Sequence, residues 1–569
     1  MLAIRSCGWR KAGALVSFAV VYSLLLTLPT HAQSKSDTLG PKVDQLFEKW
    51  NNPNSPGCSL AVIRNGEIIY ERGYGMADLD HGIPNTPTTV FHIASTSKQF
   101  TAAAIVLLAQ EGKLSFDDPI RKYLPEIPDF GTPITIRHLL HHTSGIRDQW
   151  ELLLLAGWRY SLDLITDDDI MSLLVRQKEL NFQPGDDFSY SNSGYTLLGQ
   201  IVKRVSGKSL REFTTERIFQ PLGMANTHFR ADHAEIVKNQ AYGYVPAPGG
   251  KFRLSVTNFD TVGATSLLTT VEDLARWDQN FYDKKVGGDA FVREMLEQGR
   301  LNNSKQLEYA RGLMVSSYRG LPIVEHAGGD AGYSAHLMRF PQQRFSVACL
   351  CNTPANASSM ARKVADIYLA GDFTEPSPVA PVTAAQPPES ELAGKAGFYW
   401  DERTDNVVNI VVANGVLNVG SEPGTPLQAI RPGMFRMADA MEFRFENSPA
   451  GDKLLHTHFL ITLGDGGSQT FRMIAASKPA NLSEYAADYA SEEIDPVFHI
   501  ELKEGKLVLQ HFKAAPATLQ PVSGDLFLVS GESLRFTRDP NNKILGFLLS
   551  SSRTRHMRFH RQVASREAR

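Results

Sequence analysis

The spacing of apolar residues changes several times along this chain, and each change marks an element. Ser59 to Arg64 and Glu67 to Tyr70 are strand-like runs separated by Asn65-Gly66. That dipeptide tolerates positive φ at both turn positions, so the stretch reads as a β-hairpin with a type I′ turn. From Gln99 to Glu111 the pattern becomes an apolar helix closed by Gly112. Helical patterns then dominate over roughly 100 to 300. Short apolar runs return at Leu321 to Glu325, Tyr333 to Phe340 and Phe345 to Cys351, and a helix-like run from Ser358 to Ala370 follows. Strands at both ends with helices between predict an α/β architecture: an antiparallel sheet flanked by helices, carrying a helical subdomain.

Five prolines between 371 and 390, amid Ala, Thr, Val and Ser, read as a semi-stiff linker. Beyond it the chain repeats itself at an offset of about 90 residues, too long for a solenoid unit. Leu392 to Tyr399 aligns with Leu482 to Tyr489, Thr425 to Gln428 with Ala517 to Gln520, and Phe435 with Phe527. Met441 to Phe445 parallels Leu534 to Phe536, and Phe471 to Met473 parallels Met557 to Phe559. Alternating strands and turn signals such as Asn414-Gly415 and Glu504-Gly505 predict two small antiparallel β-barrels in tandem, over 391–478 and 481–563.

At 569 residues the chain exceeds a single core. Arg5, Arg10 and Lys11, an apolar run from Ala12 to about Leu28, and Thr30-His31-Ala32 predict a signal peptide over 1–32, with an uncleaved anchor as the other reading. Cleavage near Ala32 implies a periplasmic or secreted protein and moves the formal charge from −3 to −6. Such mild acidity without a basic run argues against nucleic acid as a partner. Cys58, Cys349 and Cys351 remain; the last two face the same side of a strand, so buried thiols are expected rather than a disulfide framework.

Candidate chemistry begins at Ser95-Thr96-Ser97-Lys98. Placed at a helix start, Ser95 and Lys98 lie one turn apart on one face. A serine hydroxyl needs a base, and a lysine serves only where burial and positive potential lower its pKa. Tyr190-Ser191-Asn192 offers a hydroxyl for proton relay and an amide to orient the lysine and a carbonyl, or a plain polar loop before a helix beginning near Thr196. His326-Ala327-Gly328-Gly329, directly after the strand Leu321 to Glu325, leaves room for a substrate backbone along a sheet edge. The N–H groups of Gly329 and Ser95 would form an oxyanion hole there. His138, His141 and His142 have spacings that a metal could use, but they read as structural. Gly73-Tyr74-Gly75 lacks the third glycine of a dinucleotide fingerprint. No cofactor or metal is expected.

In this order and at these separations, the three elements resemble the penicillin-recognising serine hydrolases: class C β-lactamases, DD-peptidases, related esterases and D-aminopeptidases. Gly73 to Asp78, Gly112 to Pro119, His138 to Ile146 and Pro221 to Met224 extend the likeness over 41–370. The resemblance implies Ser95 as acylated nucleophile, Lys98 as its base, Tyr190 as proton relay and Asn192 as orienting amide. It also implies His326, with Gly328 and Gly329, in place of the K-T-G strand. A histidine is a weaker carboxylate partner than that lysine, which counts against strong β-lactamase activity. H-x-G and two barrels fit the D-aminopeptidase branch, where a barrel loop enters the active site and could meet a substrate ammonium with a carboxylate or carbonyls. Arg538 to Asn542 is one candidate for that loop.

The expected activity is acyl-enzyme hydrolysis of a small-molecule or short-peptide substrate. Release of an N-terminal D-residue, as by a D-aminopeptidase, is the preferred form; a carboxylesterase, a weak DD-peptidase or β-lactamase, and a non-catalytic recognition or sensor protein are the alternatives. Oligomeric state is not legible.

Overall fold

The computed structural model describes residues 38–562 apart from 161, 354, 376–386, 421–423, 438–440, 448–456 and 463–467. The leader reading and most of the linker reading lie outside the described residues.

Six strands form one antiparallel sheet: β1 (Cys58–Arg64), β2 (Glu67–Tyr74), β3 (Met314–Tyr318), β4 (Leu321–Asp330), β5 (Tyr333–Phe340) and β6 (Phe345–Cys351), in the order β3-β4-β5-β6-β1-β2. The hairpin turn is as expected, with Asn65 at φ 55° and Gly66 at φ 84°. Pairing of β1 with β6, Leu60 opposite Cys349 and Val62 opposite Val347, joins distant parts of the chain in one sheet.

Both faces of the sheet are covered, so β1 and β6 are buried almost throughout rather than on alternate residues. Leu60, Val62, Val347 and Cys349 pack with Val43 and Phe47 of α1 (Gly40–Phe47). Met360, Ala361 and Val364, from a C-terminal helix over Ala357–Tyr368, complete that layer. Ala61, Ile63, Ala348 and Leu350 face the other way, into a larger core with α2 (Lys98–Gln110). Lys98 to Leu108 are all buried, which explains a helix apolar on every side.

The thiol expectation needs correction. Cys58 and Cys351, directly paired in register, form a disulfide, and only Cys349 is a free buried thiol among the described cysteines. Cys351 and Cys349 do share a face, but β1 brings a third sulfur to it. Spacing along one strand could not disclose a partner on another.

The C-terminal repeat folds as two antiparallel sheets. One is a closed eight-stranded barrel from Ala487–Ala490 to Met557–Arg561. The other is a nine-stranded, barrel-like sheet whose two edge strands, Thr425–Pro426 and Gln428–Arg431, adjoin in sequence. Matching details identify them as copies. Tyr399 Oη donates to Lys395 O and Tyr489 Oη to Tyr485 O, each at 2.9 Å. A register shift recurs between Ala429 and Arg431 and between Pro521 and Ser523.

The disulfide closes a loop of 293 residues. Cys58→Ala/Cys351→Ala is expected to lower unfolding stability by about 2–4 kcal/mol, read as a lower guanidinium midpoint. An unchanged midpoint would show that the strand pairing alone secures this seam.

Candidate active site

Ala94, at φ 48°, turns the chain out of the short strand Phe91–His92 into a 3₁₀ turn, Ala94–Ser97, that leads directly into α2. Ser95 therefore stands on the turn, and Lys98 is the first residue of α2. Lys98 is fully buried and its Nζ donates to Ser95 Oγ at 3.0 Å, Asn192 Oδ1 at 2.8 Å and the Ala264 carbonyl at 2.8 Å. Desolvation is the main reason its pKa falls to about 7; Asp148 opposes the shift and Arg553 adds to it. An amine that is neutral near pH 7 within hydrogen-bond reach of a hydroxyl can take its proton.

Asn192 begins the helix Asn192–Ser206, four residues earlier than a start near Thr196, so its side chain projects from a rigid first turn and not from a loop. Its backbone N and Nδ2 donate to Asp148 Oδ2 at 2.7 and 2.8 Å, which turns Oδ1 towards Lys98. Asp148 is itself the N-cap of the helix Gln149–Leu155. Tyr190 is largely buried, its ring centroid 4.9 Å from Lys98 Nζ and 4.2 Å from the centroid of His142. His142 accepts from Ser191 N at 3.1 Å; burial holds its pKa well below the usual value, so it serves as neutral packing for Tyr190.

Strand β4 runs on through Asp330, so His326 to Gly329 lie within it and not after it. Its neighbour β3 pairs only as far as Met314 opposite Glu325, which leaves the 326–330 segment unpaired on that side. A Cβ on Gly328 would stand 2.2 Å from Ile93 O and 3.1 Å from Ser95 N, so only glycine lets the strand lie against the Ser95 turn. A Cβ on Gly329 would meet nothing within 4 Å, consistent with an open edge. His326 is buried; Nδ1 donates to Ala327 O at 2.7 Å and Nε2 accepts from Tyr309 Oη at 3.0 Å. Burial and then Lys98 push its pKa down to about 3, so it is neutral.

A cleft of about 420 Å³ brings Ser95, Tyr190, Asn192, His326, Gly328 and Gly329 together, with Lys98 beneath. Several lining residues were not foreseen. Asp330 accepts from His92 Nε2 at 2.9 Å and Thr265 Oγ1 at 3.1 Å, and from Tyr160 Oη. It closes the H-A-G-G run and could have been read there. Tyr309 had no flanking signal. Arg553 enters the cleft from the turn between the last two strands of the closed barrel. The candidate at 538–542 is thus corrected: Arg538 bonds inside its own barrel to Asp525, Glu484 and Tyr485. What the loop presents to the cleft is also corrected, since a guanidinium stands where a carboxylate or carbonyls were expected.

With this geometry established, a beta-lactamase family model matches residues 43–371. The chain belongs to the beta-lactamase family. Penicillin-binding protein 4* of Bacillus subtilis is 33% identical over 326 residues, 54% of this chain and 70% of that protein. D-aminopeptidase of Brucella canis is 28% identical over 364 residues, 64% of this chain and 67% of the relative. Among solved structures, an octameric penicillin-binding protein homologue from Pyrococcus abyssi shares the fold with a TM-score of 0.55, at 24% identity over 76% of this chain and 100% of its own. A penicillin binding protein from Bacillus halodurans gives 0.51, at 26% identity over 57% of this chain and 99% of its own. These likenesses make the chain a serine hydrolase of the beta-lactamase family.

Labelling of Ser95 by a neutral fluorophosphonate is expected to accelerate as pH rises through about 7, where Lys98 loses its proton, and then to level off. Asp148→Asn removes a charge that favours the ammonium, so the inflection should move to lower pH. An inflection that stays put or rises, in rate profiles of the two proteins, would contradict that role for Asp148.

Proposed function

We propose that this is an exported serine hydrolase that acts through an acyl-enzyme on short peptides or small amides and releases an N-terminal D-residue. The contact between the desolvated Lys98 amine and Ser95 Oγ carries the reading. Ser95 Oγ attacks the carbonyl carbon while Lys98 takes the hydroxyl proton. The oxyanion meets the N–H groups of Ser95 and Gly329. Collapse breaks the C–N bond, and the departing amine receives its proton by way of Tyr190. Water then repeats the sequence on the ester. Asn192 keeps the amine aimed, and Tyr309 holds His326 as a neutral wall of the cleft. The H-x-G strand, the two C-terminal barrels and the similarity to a D-aminopeptidase support the substrate class; the apolar leader supports export.

A carboxylesterase is the second reading. One observation favours it: His326 is uncharged, so β4 itself offers no cation to a peptide carboxylate.

Release of p-nitroaniline from D-alanyl p-nitroanilide is expected to exceed that from the L-isomer, and Ser95→Ala should lower kcat/KM at least about a thousandfold. Equal turnover of the two isomers would remove the D-preference. Turnover of p-nitrophenyl esters alone would favour the second reading.

A further inference from the structure

Among the described residues that line the cleft, Arg553 is the one lysine or arginine. The other positive groups near the nucleophile are not offered to a ligand. Lys98 is fully buried, with its Nζ enclosed by Ser95, Asn192 and Ala264, and His326 is neutral. The acidic group of the cleft, Asp330, is engaged by His92, Thr265 and Tyr160, so it is a poor receptor for an ammonium.

The backbone of Arg553 is fixed from several sides. Its N donates to Glu151 at 3.0 Å, and its carbonyl accepts from Asn181 Nδ2 at 2.8 Å and Asp148 N at 3.4 Å. Neighbouring side chains in the turn are committed elsewhere: Ser551 and Ser552 bond Glu151, and Arg555 bonds Asp187 at 2.8 Å. The Arg553 side chain, 37% exposed, stays in the cleft, with Nη1 4.0 Å from Asp148 Oδ2. Its Cζ lies 5.0 Å from the centroid of the Tyr190 ring, the same ring that Lys98 Nζ approaches to 4.9 Å. A planar guanidinium held this way suits the two oxygens of a carboxylate. Beside Tyr190, the group that would protonate the leaving amine, the carboxylate belongs to the departing part of the substrate.

We propose that Arg553 is a specificity-determining residue that binds the free carboxylate of the leaving amino acid, so the preferred substrates are short peptides that end one residue beyond the scissile bond. The inference rests on the acyl-enzyme reading of Ser95, and it assigns the cationic role missing from β4 to a residue of the closed barrel.

The test compares D-alanyl-D-alanine with D-alanyl-D-alaninamide, following cleavage of the bond between the two residues in wild type, Arg553→Gln and Arg553→Lys. Labelling of Ser95 by a neutral fluorophosphonate is measured in each protein, and protection from labelling by either peptide gives the same comparison without turnover. Wild type should favour the free acid by about tenfold or more in kcat/KM or protection, a preference that salt weakens. Arg553→Gln should bring the ratio close to one with Ser95 still labelled, and Arg553→Lys should retain part of it. An acid-to-amide ratio that Arg553→Gln leaves unchanged, or a wild type that prefers the amide, overturns the proposal while the hydrolase reading stands. Absence of labelling in wild type overturns the hydrolase reading itself, and this proposal with it.

Discussion

The structure is organised around one uncomfortable group, a primary amine buried without exposure at the head of α2. Water would hold the Lys98 ammonium far better than this site does, so burial drives the amine towards neutrality. It is tolerated because Nζ is hydrogen-bonded on three sides, to the Ser95 turn, to the helix that starts at Asn192 and to the backbone at Ala264. The acceptor geometry is inherited in turn. Asn192 faces Lys98 because Asp148 holds its other end, and Asp148 is placed by capping a helix. A charge-tuned amine in contact with a hydroxyl is thus the product of three elements packed around one desolvated nitrogen.

The same segment that aims Asn192 also receives the closed barrel. Arg147, next to Asp148, forms a fully buried ion pair with Glu493 at 2.6 Å and donates to the carbonyl of Arg555. Glu151, one turn further on, accepts from Ser551, Ser552 and Arg553; its burial raises its pKa. Buried ion pairs of this kind add little net stability but are costly to break singly, so they fix a geometry more than they deepen a well. Arg553 and the lysine also sense each other, because the guanidinium lowers the Lys98 pKa.

Much of this was legible from spacing. Asn65-Gly66 announced its hairpin because few dipeptides accept two positive φ values. The apolar runs near 321, 333 and 345 became strands, and the tail duplicated down to a shared tyrosine hydrogen bond and a shared register shift. Ser95, Lys98, Tyr190, Asn192 and His326 converge as the resemblance implied. What escaped has a common cause. Cys58 finds Cys351 across a strand pairing, Asp148 reaches Asn192 between two helix starts, and Arg553 reaches the cleft from a barrel turn. Each depends on contacts between segments far apart in sequence. Ser-Ser-Arg-Thr-Arg, read alone, is an ordinary polar turn. The end of β4 escaped for a local reason: two consecutive glycines look like a stop, yet here the strand continues, with Gly328 letting it slide beneath the Ser95 turn.

The turn that carries Arg553 joins two strands of a barrel whose hydrogen-bonded ladder is complete without it. The barrel itself does not depend on this turn, but its seat on the rest of the molecule does: Ser551 and Ser552 bond Glu151, and the Arg553 carbonyl accepts from Asn181 and Asp148. Under the two proposals above, reactivity and selectivity are written on separate parts of one polypeptide. On that reading, a change confined to the partly exposed Arg553 side chain alters which substrates fit, while Lys98 and the three groups around it stay as they are.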